Sequence, residues 1–151
     1  MNTIDYFKLQ AKNLHRDFKT KTPVFDKMIN DFLYQYTPKY FYIDAIVLDF
    51  NIDEENFSLM NAQHVIANLA GFDKWSTLLK ASVSELELSK LLFDNQDKID
   101  LISWNDYITY SESLSQTEFD SELKLTIFKE VVLERNIFDY VIDGYLLKND
   151  Y

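Results

Sequence analysis

The 151-residue chain has no cysteine, two glycines, two prolines and two histidines. Without cysteine it can form no disulfide and offers no thiolate to a metal or a substrate, which fits a reducing cytosol. Gly71 and Gly144 are too few for a phosphate-cradling loop, and no serine lies in a Gly-x-Ser-x-Gly elbow. His15 and His64 each lack a second imidazole three or four residues away, so the sequence marks no zinc site. No apolar run reaches the roughly 18 residues that would cross a bilayer. The start, MNTIDYFKLQ, has neither a basic stretch before an apolar core nor a lipidation signal. These gaps lead us to expect a cytoplasmic protein that binds no cofactor or metal and does not enter a membrane.

What is present is apolar and acidic. Hydrophobic residues make up 47% of the chain and aromatics 16%, enough for a folded core in one domain of this size. The net charge is −10. Residues 1–75 carry 8 basic and 10 acidic side chains, and residues 76–151 carry 7 and 15. Phosphate backbones repel such a chain, so no nucleic-acid partner is expected. The acidic half is either a docking surface for a basic partner, up to a nucleic-acid mimic, or a solvated face that keeps the protein soluble. Lys8, Lys12, Arg16 and Lys19 form one basic strip, with His15 beside it.

The strongest local pattern is Phe57 to Ala81. Ser58 is an N-cap, with Phe57 and Ala62 placed for a hydrophobic staple. Leu59, Ala62, Ile66, Leu69 and Ala70 then recur at helical spacing, with Asn61, His64 and Asn68 opposite. Gly71 is the residue that closes the helix in the left-handed conformation, and Phe72 packs back on Ile66 or Ala67. Asp73 caps a second helix with Trp75, Leu78 and Leu79 inward. The stretch is a helix-turn-helix unit, but its second helix begins Asp73-Lys74-Trp75, a poor reader of base edges. Leu59, Gln63, Ile66, Gly71, Phe72, Trp75 and Leu78 are its structural residues, Gln63 as a hydrogen-bonded polar group within the apolar arc.

Elsewhere Asn2 or Thr3 caps a first helix reaching Lys19, with Ile4, Phe7, Ala11, Leu14 and Phe18 as its stripe. Thr22-Pro23 opens a helix to Tyr36 with Val24, Met28, Phe32 and Leu33 inward, or else a loop with one turn. Tyr40 to Phe50 reads as a strand by composition and as a helix by the spacing of Ile43, Ile46, Val47 and Phe50. The acidic loop Asn51 to Asn56 lacks the central glycine and the spacing of a calcium loop and instead leads into the positive end of the next helix. Ser84 and Glu87 form a capping box for a helix to Asn95. Ser103 caps a short helix holding Trp104, Tyr107 and Ile108, and Ser111 to Thr117 is a mobile connection. A long helix follows from Glu118 to Arg135 with Phe119, Leu123, Ile127, Phe128 and Val131 as its stripe. Asp143-Gly144 is a turn signal for a small C-terminal β-hairpin within Ile137 to Leu147.

The series Ala11, Lys12, Leu14, Ser58-Leu59, Ala62-Gln63, Ile66-Ala67, Gly71-Phe72, Trp75, Leu78 and Ala81 resembles a small bacterial helical domain labelled glyoxalase-related. It is similar, too, to intracellular proteins of the Bacteroidetes type, which share a Lys-, Asn- and Tyr-rich style. The resemblance implies a helical fold and no activity. The chain has no repeated pair of βαβββ units and no spaced His/Glu set for a glyoxalase metal site, so no catalytic residue carries over.

The expected architecture is mainly α: a single-domain helical bundle over residues 1–151, built on the 57–81 unit. The expected function is a non-enzymatic protein-interaction module, of adaptor, regulator or immunity type, that binds a protein partner or a second copy of itself. Its contacts would come from the acidic C-terminal half and from Tyr34, Tyr36, Tyr40, Phe41 and Tyr42, since aromatics concentrate at interfaces. Two alternatives stand beside it. One is an enzyme or small-ligand protein with a pocket lined by Gln63, His64 or Trp75; the other is a nucleic-acid regulator using the helix-turn-helix unit.

Overall fold

Short polar side chains start most of the helices. In the computed structural model, which describes residues 1–139 and 142–147, Asn2 accepts the Asp5 N–H at 2.8 Å and opens helix α1, Thr3–Phe18. A hairpin of β1 (Thr22–Asp26) and β2 (Asp31–Gln35) follows, then α2 (Ile43–Asp49), a 3-10 turn (Glu54–Asn56), α3 (Leu59–Leu69) and α4 (Trp75–Leu79). Next come α5 (Val83–Asp94), α6 (Leu101–Ser115), α7 (Ser121–Ile127) and a π-helical continuation, Phe128–Glu134. The protein is mainly α, as its sequence implies. The described residues divide into two packed units, residues 1–6 with 67–139 and 142–144, and residues 7–66 with 145–147.

In the first unit the helix starts differ in detail from the sequence reading. The capping box of α5 is Ser82 with Glu85, not Ser84 with Glu87: Ser82 Oγ accepts the Glu85 N–H at 3.2 Å and donates to its carboxylate at 3.1 Å. Asp100, not Ser103, caps α6, accepting the Ser103 N–H at 2.6 Å. At α6 the carboxylate accepts the N–H and also complements the positive helix N-terminus. That helix is long, and the polar residues Ser111–Ser115 are its last turn rather than a connection. It stops where Gln116 turns left-handed at φ 56°.

Asp120 caps α7 and accepts the Leu123 N–H at 2.8 Å. Past Ile127 the hydrogen bonds widen to i→i+5, as in Arg135 N–H to the Glu130 carbonyl at 3.0 Å. The wider turn buries Val132 together with Phe128 and Val131, whereas Leu123 of the expected stripe stays exposed. These residues close a core with Leu88, Leu92, Ile99, Trp104, Ile108 and Leu125. Tyr6 of the same unit packs edge-on to Phe93 and donates a short hydrogen bond to Asp94.

The turn after α3 follows from Gly71. It adopts φ +95°, the Phe72 N–H returns to the Ala67 carbonyl at 2.9 Å, and the Gly71 N–H reaches Asn68 at 3.1 Å. This is the paired closure of a Schellman motif. The Asn68 amide then donates to the Phe72 and Asp73 carbonyls, and Lys74 rather than Asp73 stands at the start of α4. At the other end, Ser58 Oγ accepts the Asn61 N–H, and Asn61 Oδ1 accepts the Ser58 N–H. Asparagine here takes the reciprocal role glutamate usually plays in a capping box.

In the second unit a buried carboxylate sets the chain path. Asp17 accepts backbone N–H groups from Lys39 (2.9 Å), Tyr40 (2.8 Å) and Phe41 (2.9 Å). The Tyr40–Phe50 ambiguity resolves in two parts. Phe41 is fully buried and pairs with Leu146 in an isolated antiparallel bridge, and Ile43 onward is the helix α2. The bridge takes the place of a C-terminal hairpin over the described residues 142–147; Tyr140 and Val141, which the hairpin reading also covers, lie outside the described residues. Gly144 serves a close approach instead of a turn: a Cβ there would come within 2.8 Å of Gln96 Cβ.

Candidate interaction surface

Residues 22–35 overturn the expected helix. The stripe Val24, Met28, Phe32 and Leu33 fits a helical period, but Asp26 and Asn30 break it. Asp26 Oδ1 accepts the Met28 N–H at 2.8 Å, and Asn30 takes a left-handed φ of 52°, both turn chemistries that asparagine and aspartate favour. The strands pair antiparallel with Val24 opposite Leu33 and Phe25 opposite Phe32, so one face carries Val24 and Leu33 and the other carries Pro23, Phe25, Phe32 and Tyr34.

The two ends of the hairpin differ. Its base is tied down: Tyr36 donates to Glu54 at 2.7 Å, Tyr34 donates to Glu55, and Lys21 Nζ reaches the Glu54 carbonyl at 2.7 Å while lying 4.7 Å from the Tyr34 ring centroid. Both phenols are held neutral beyond the ordinary tyrosine range. For Tyr34 the Glu55 hydrogen bond is the main cause; for Tyr36 burial comes first and the Glu54 bond second. Its outer part is bare. Met28 is 96% exposed, Phe32 63%, Ile29 55%, Leu33 49%, Phe25 48% and Val24 37%. The Phe25 and Phe32 rings meet edge-on at 5.4 Å, in contact with each other but not enclosed.

Of the aromatics expected at an interface, Tyr34 and Tyr36 serve the hairpin base and are half-buried. Tyr40 is half-buried beneath Lys39, whose Nζ lies 5.4 Å from its ring centroid. Tyr42 is exposed, with its N–H donated to the Tyr145 carbonyl at 2.9 Å. Phe41 is core and presents no surface, a correction caused by the Asp17 anchor beside it. The sequence reading missed Phe25 and Ile29; alternating apolar residues on either side of Asp26–Asn30 were the available signal.

Of the structural residues of the 57–81 unit, Ile66 and Leu78 are fully buried, and Gln63, Phe72 and Trp75 are half-buried. Leu59 and Gly71 are exposed, Gly71 because a helix terminus needs its backbone rather than its burial. His64 is exposed. His15 is half-buried, and its pKa is lowered, first by burial and then by Lys19. Gln63 and His64 belong to one packed unit and Trp75 to the other. A shallow depression of about 530 Å³ lies elsewhere, lined by Ser82, Val83, Ser84, Asp120, Ser121 and Glu122. Among the described residues no group of three His, Asp or Glu side chains is arranged to hold a metal, and no helix is long and apolar enough to cross a membrane. The second helix of the 57–81 unit, α4, has five residues.

No protein-family model matches the chain, and no curated protein or solved structure is significantly similar to it.

Proposed function

We propose that this chain is a non-enzymatic, cytoplasmic protein-interaction module of adaptor or regulator type, and that the outer part of the β1–β2 hairpin is its contact surface. The observation carrying this reading is the concentration of Val24, Phe25, Met28, Ile29, Phe32 and Leu33, all exposed, on one short hairpin. Single exposed apolar residues are ordinary, but here Val24 and Leu33 lie bare on one face of the hairpin and Phe25 and Phe32 on the other, and such a concentration supports a binding surface. A hairpin is marginal alone in water, and the Tyr34, Tyr36 and Lys21 contacts hold this one in place without covering it. The apolar residues are thus presented rather than tucked away. The acidic half of the chain keeps such a protein soluble and supports the reading in that role.

The experiment is capture with tagged wild-type protein beside a Phe25→Ser/Phe32→Ser variant of matched circular dichroism. A stoichiometric protein recovered by the wild type and lost by the variant is the expected result. Recovery of the same protein by both would move the contact off the hairpin. A tight small-molecule thermal shift with no protein partner would favour a ligand-binding protein instead.

A further inference from the structure

Resting on that reading, we infer that the protein partner carries a short acidic segment, which docks on the basic strip of α1. Lys8, Lys12, Arg16 and Lys19 recur at helical spacing and are all exposed. At a rise of 1.5 Å per residue they form a row about 16 Å long. Asp5 is the one exposed carboxylate on this helix, since Asp17 is buried. Among the described residues none of the four cations lies within ion-pair distance of a carboxylate; the ion pairs present are Lys90 with Asp94 and Arg135 with Glu130.

The carboxylates of the same packed unit are committed to neutral donors instead. Asp17 accepts three backbone N–H groups, Asp26 accepts that of Met28, Asp31 that of Phe32 and Asp53 that of Glu55. Asp49, Glu54 and Glu55 accept the phenols of Tyr145, Tyr36 and Tyr34. Of the eight carboxylates between residues 17 and 55, that leaves Asp44. These acids fix loops and the hairpin base without drawing on the α1 cations. An ammonium has three donors and a guanidinium five, and on α1 they stay turned to solvent.

The length of the strip and the charge of the whole chain select the occupant. A duplex carries a charge about every 1.7 Å, and both it and an anionic bilayer extend far past a ~16 Å row. Their surplus charge then faces a chain of net −10. A second copy brings a net −10 of its own. A short acidic segment ends where the strip ends, and charge more than about 8 Å away is screened at physiological salt. Such exposed pairs set approach and partner choice more than affinity, while the hairpin supplies the apolar area.

The test is an NMR titration of isotope-labelled protein with oligoglutamate of about twelve residues, long enough even as a helix to span the strip. Amide shifts should concentrate in residues 8–19 and fade as salt rises from about 0.05 M to about 0.5 M. They should vanish in Lys12→Glu/Arg16→Glu, and Lys12→Gln/Arg16→Gln, which adds no new charge, should weaken binding about tenfold. Phe25→Ser/Phe32→Ser should bind the peptide as the wild type does. An absence of saturable shifts in residues 8–19 at low salt, or equal shifts in the charge-reversed variant, would overturn the inference. Tighter binding of single-stranded DNA of the same length, or of phosphatidylglycerol vesicles, through the same residues would overturn it in favour of phosphate. Self-association that the charge reversal abolishes would overturn it in favour of a second copy. The two readings fail separately. Partner capture retained by Lys12→Glu/Arg16→Glu removes the acidic segment and leaves the hairpin contact standing, whereas capture retained by Phe25→Ser/Phe32→Ser moves the contact off the hairpin and leaves the strip.

Discussion

Two ring pairs in this protein have nearly the same geometry and opposite surroundings. Phe25 and Phe32 meet edge-on at 5.4 Å and 70°; Trp104 and Phe128 do so at 5.2 Å and 75°. Trp104 and Phe128 are enclosed by Leu88, Leu92, Ile108 and Val132, while both phenylalanines of the hairpin face solvent. The edge-on contact itself is worth little beyond burial. What separates the pairs is the apolar area removed from water, so the helical core spends its aromatics on folding and the hairpin keeps its own for another surface.

The sharpest way to test that contrast is to delete one ring from each pair. Phe128→Ala should cost about 3–5 kcal/mol, from lost transfer energy plus an incompletely collapsed cavity, measured as a drop in urea midpoint. Asp17→Ala should come next, on the order of 3 kcal/mol, because three N–H groups of residues 39–41 lose a charged acceptor in a buried place. Asp17→Asn should recover part of that loss. Gly71→Ala should cost about 1–2 kcal/mol. Its Cβ meets Leu101 only at an ordinary 3.6 Å, so the cost is the left-handed backbone rather than crowding.

A smaller effect should appear at high pH. The Tyr145 phenol, which donates to Asp49 at 2.6 Å, is pushed up to about 12, first by burial and then by that hydrogen bond. A raised folded value means the stabilisation is complete below pH 10 and is lost as pH climbs from 10 towards 12, because the unfolded chain gives up its proton first. Tyr145→Phe should flatten this alkaline limb in a pH series of thermal midpoints. The smallest expected change is that of Phe32→Ser, within about 0.5 kcal/mol of wild type for dilute protein, as for an exposed position without a special backbone role.

The difference between the two regions also decided what could be read from the sequence. The core helices announce themselves locally: the apolar period of α5, the serine cap of α3, and Gly71 followed by Phe72 each carry their meaning within four or five residues. The details that shifted, such as Ser82 in place of Ser84, are choices between neighbouring caps that packing settles. The π-helical turn at Phe128–Glu134 has no local signature, since an α-helical stripe through Phe128 and Val131 fits equally well. In the second unit the deciding contacts are long-range. Asp17 acts on residues more than twenty positions away, and no spacing rule places a carboxylate under a distant loop. The spacing of Val24, Met28, Phe32 and Leu33 implies a helix, or else a loop with one turn, only on the assumption that these residues face inward. That assumption holds for folding surfaces and fails for binding ones, so the misread segment and the candidate interface coincide.

The tyrosines show a related economy. Ion pairs among the described residues are few, Lys90 with Asp94 and Arg135 with Glu130, in a chain rich in carboxylates. Phenols take up part of the excess: Tyr6, Tyr34, Tyr36 and Tyr145 each donate to a carboxylate. A neutral donor satisfies an acidic side chain without importing a lysine, which preserves the negative charge of the surface while fixing loops in place.

The central claim is that the hairpin rings serve association and the core rings serve folding. Its most direct test is urea unfolding of Phe32→Ser beside Phe128→Ala at low protein concentration, each variant also assayed for association. The account predicts that Phe32→Ser unfolds with the wild-type midpoint and no longer associates, while Phe128→Ala loses most of its stability. A loss of stability in Phe32→Ser as large as that in Phe128→Ala, with association unchanged, would contradict it and return the hairpin to the fold.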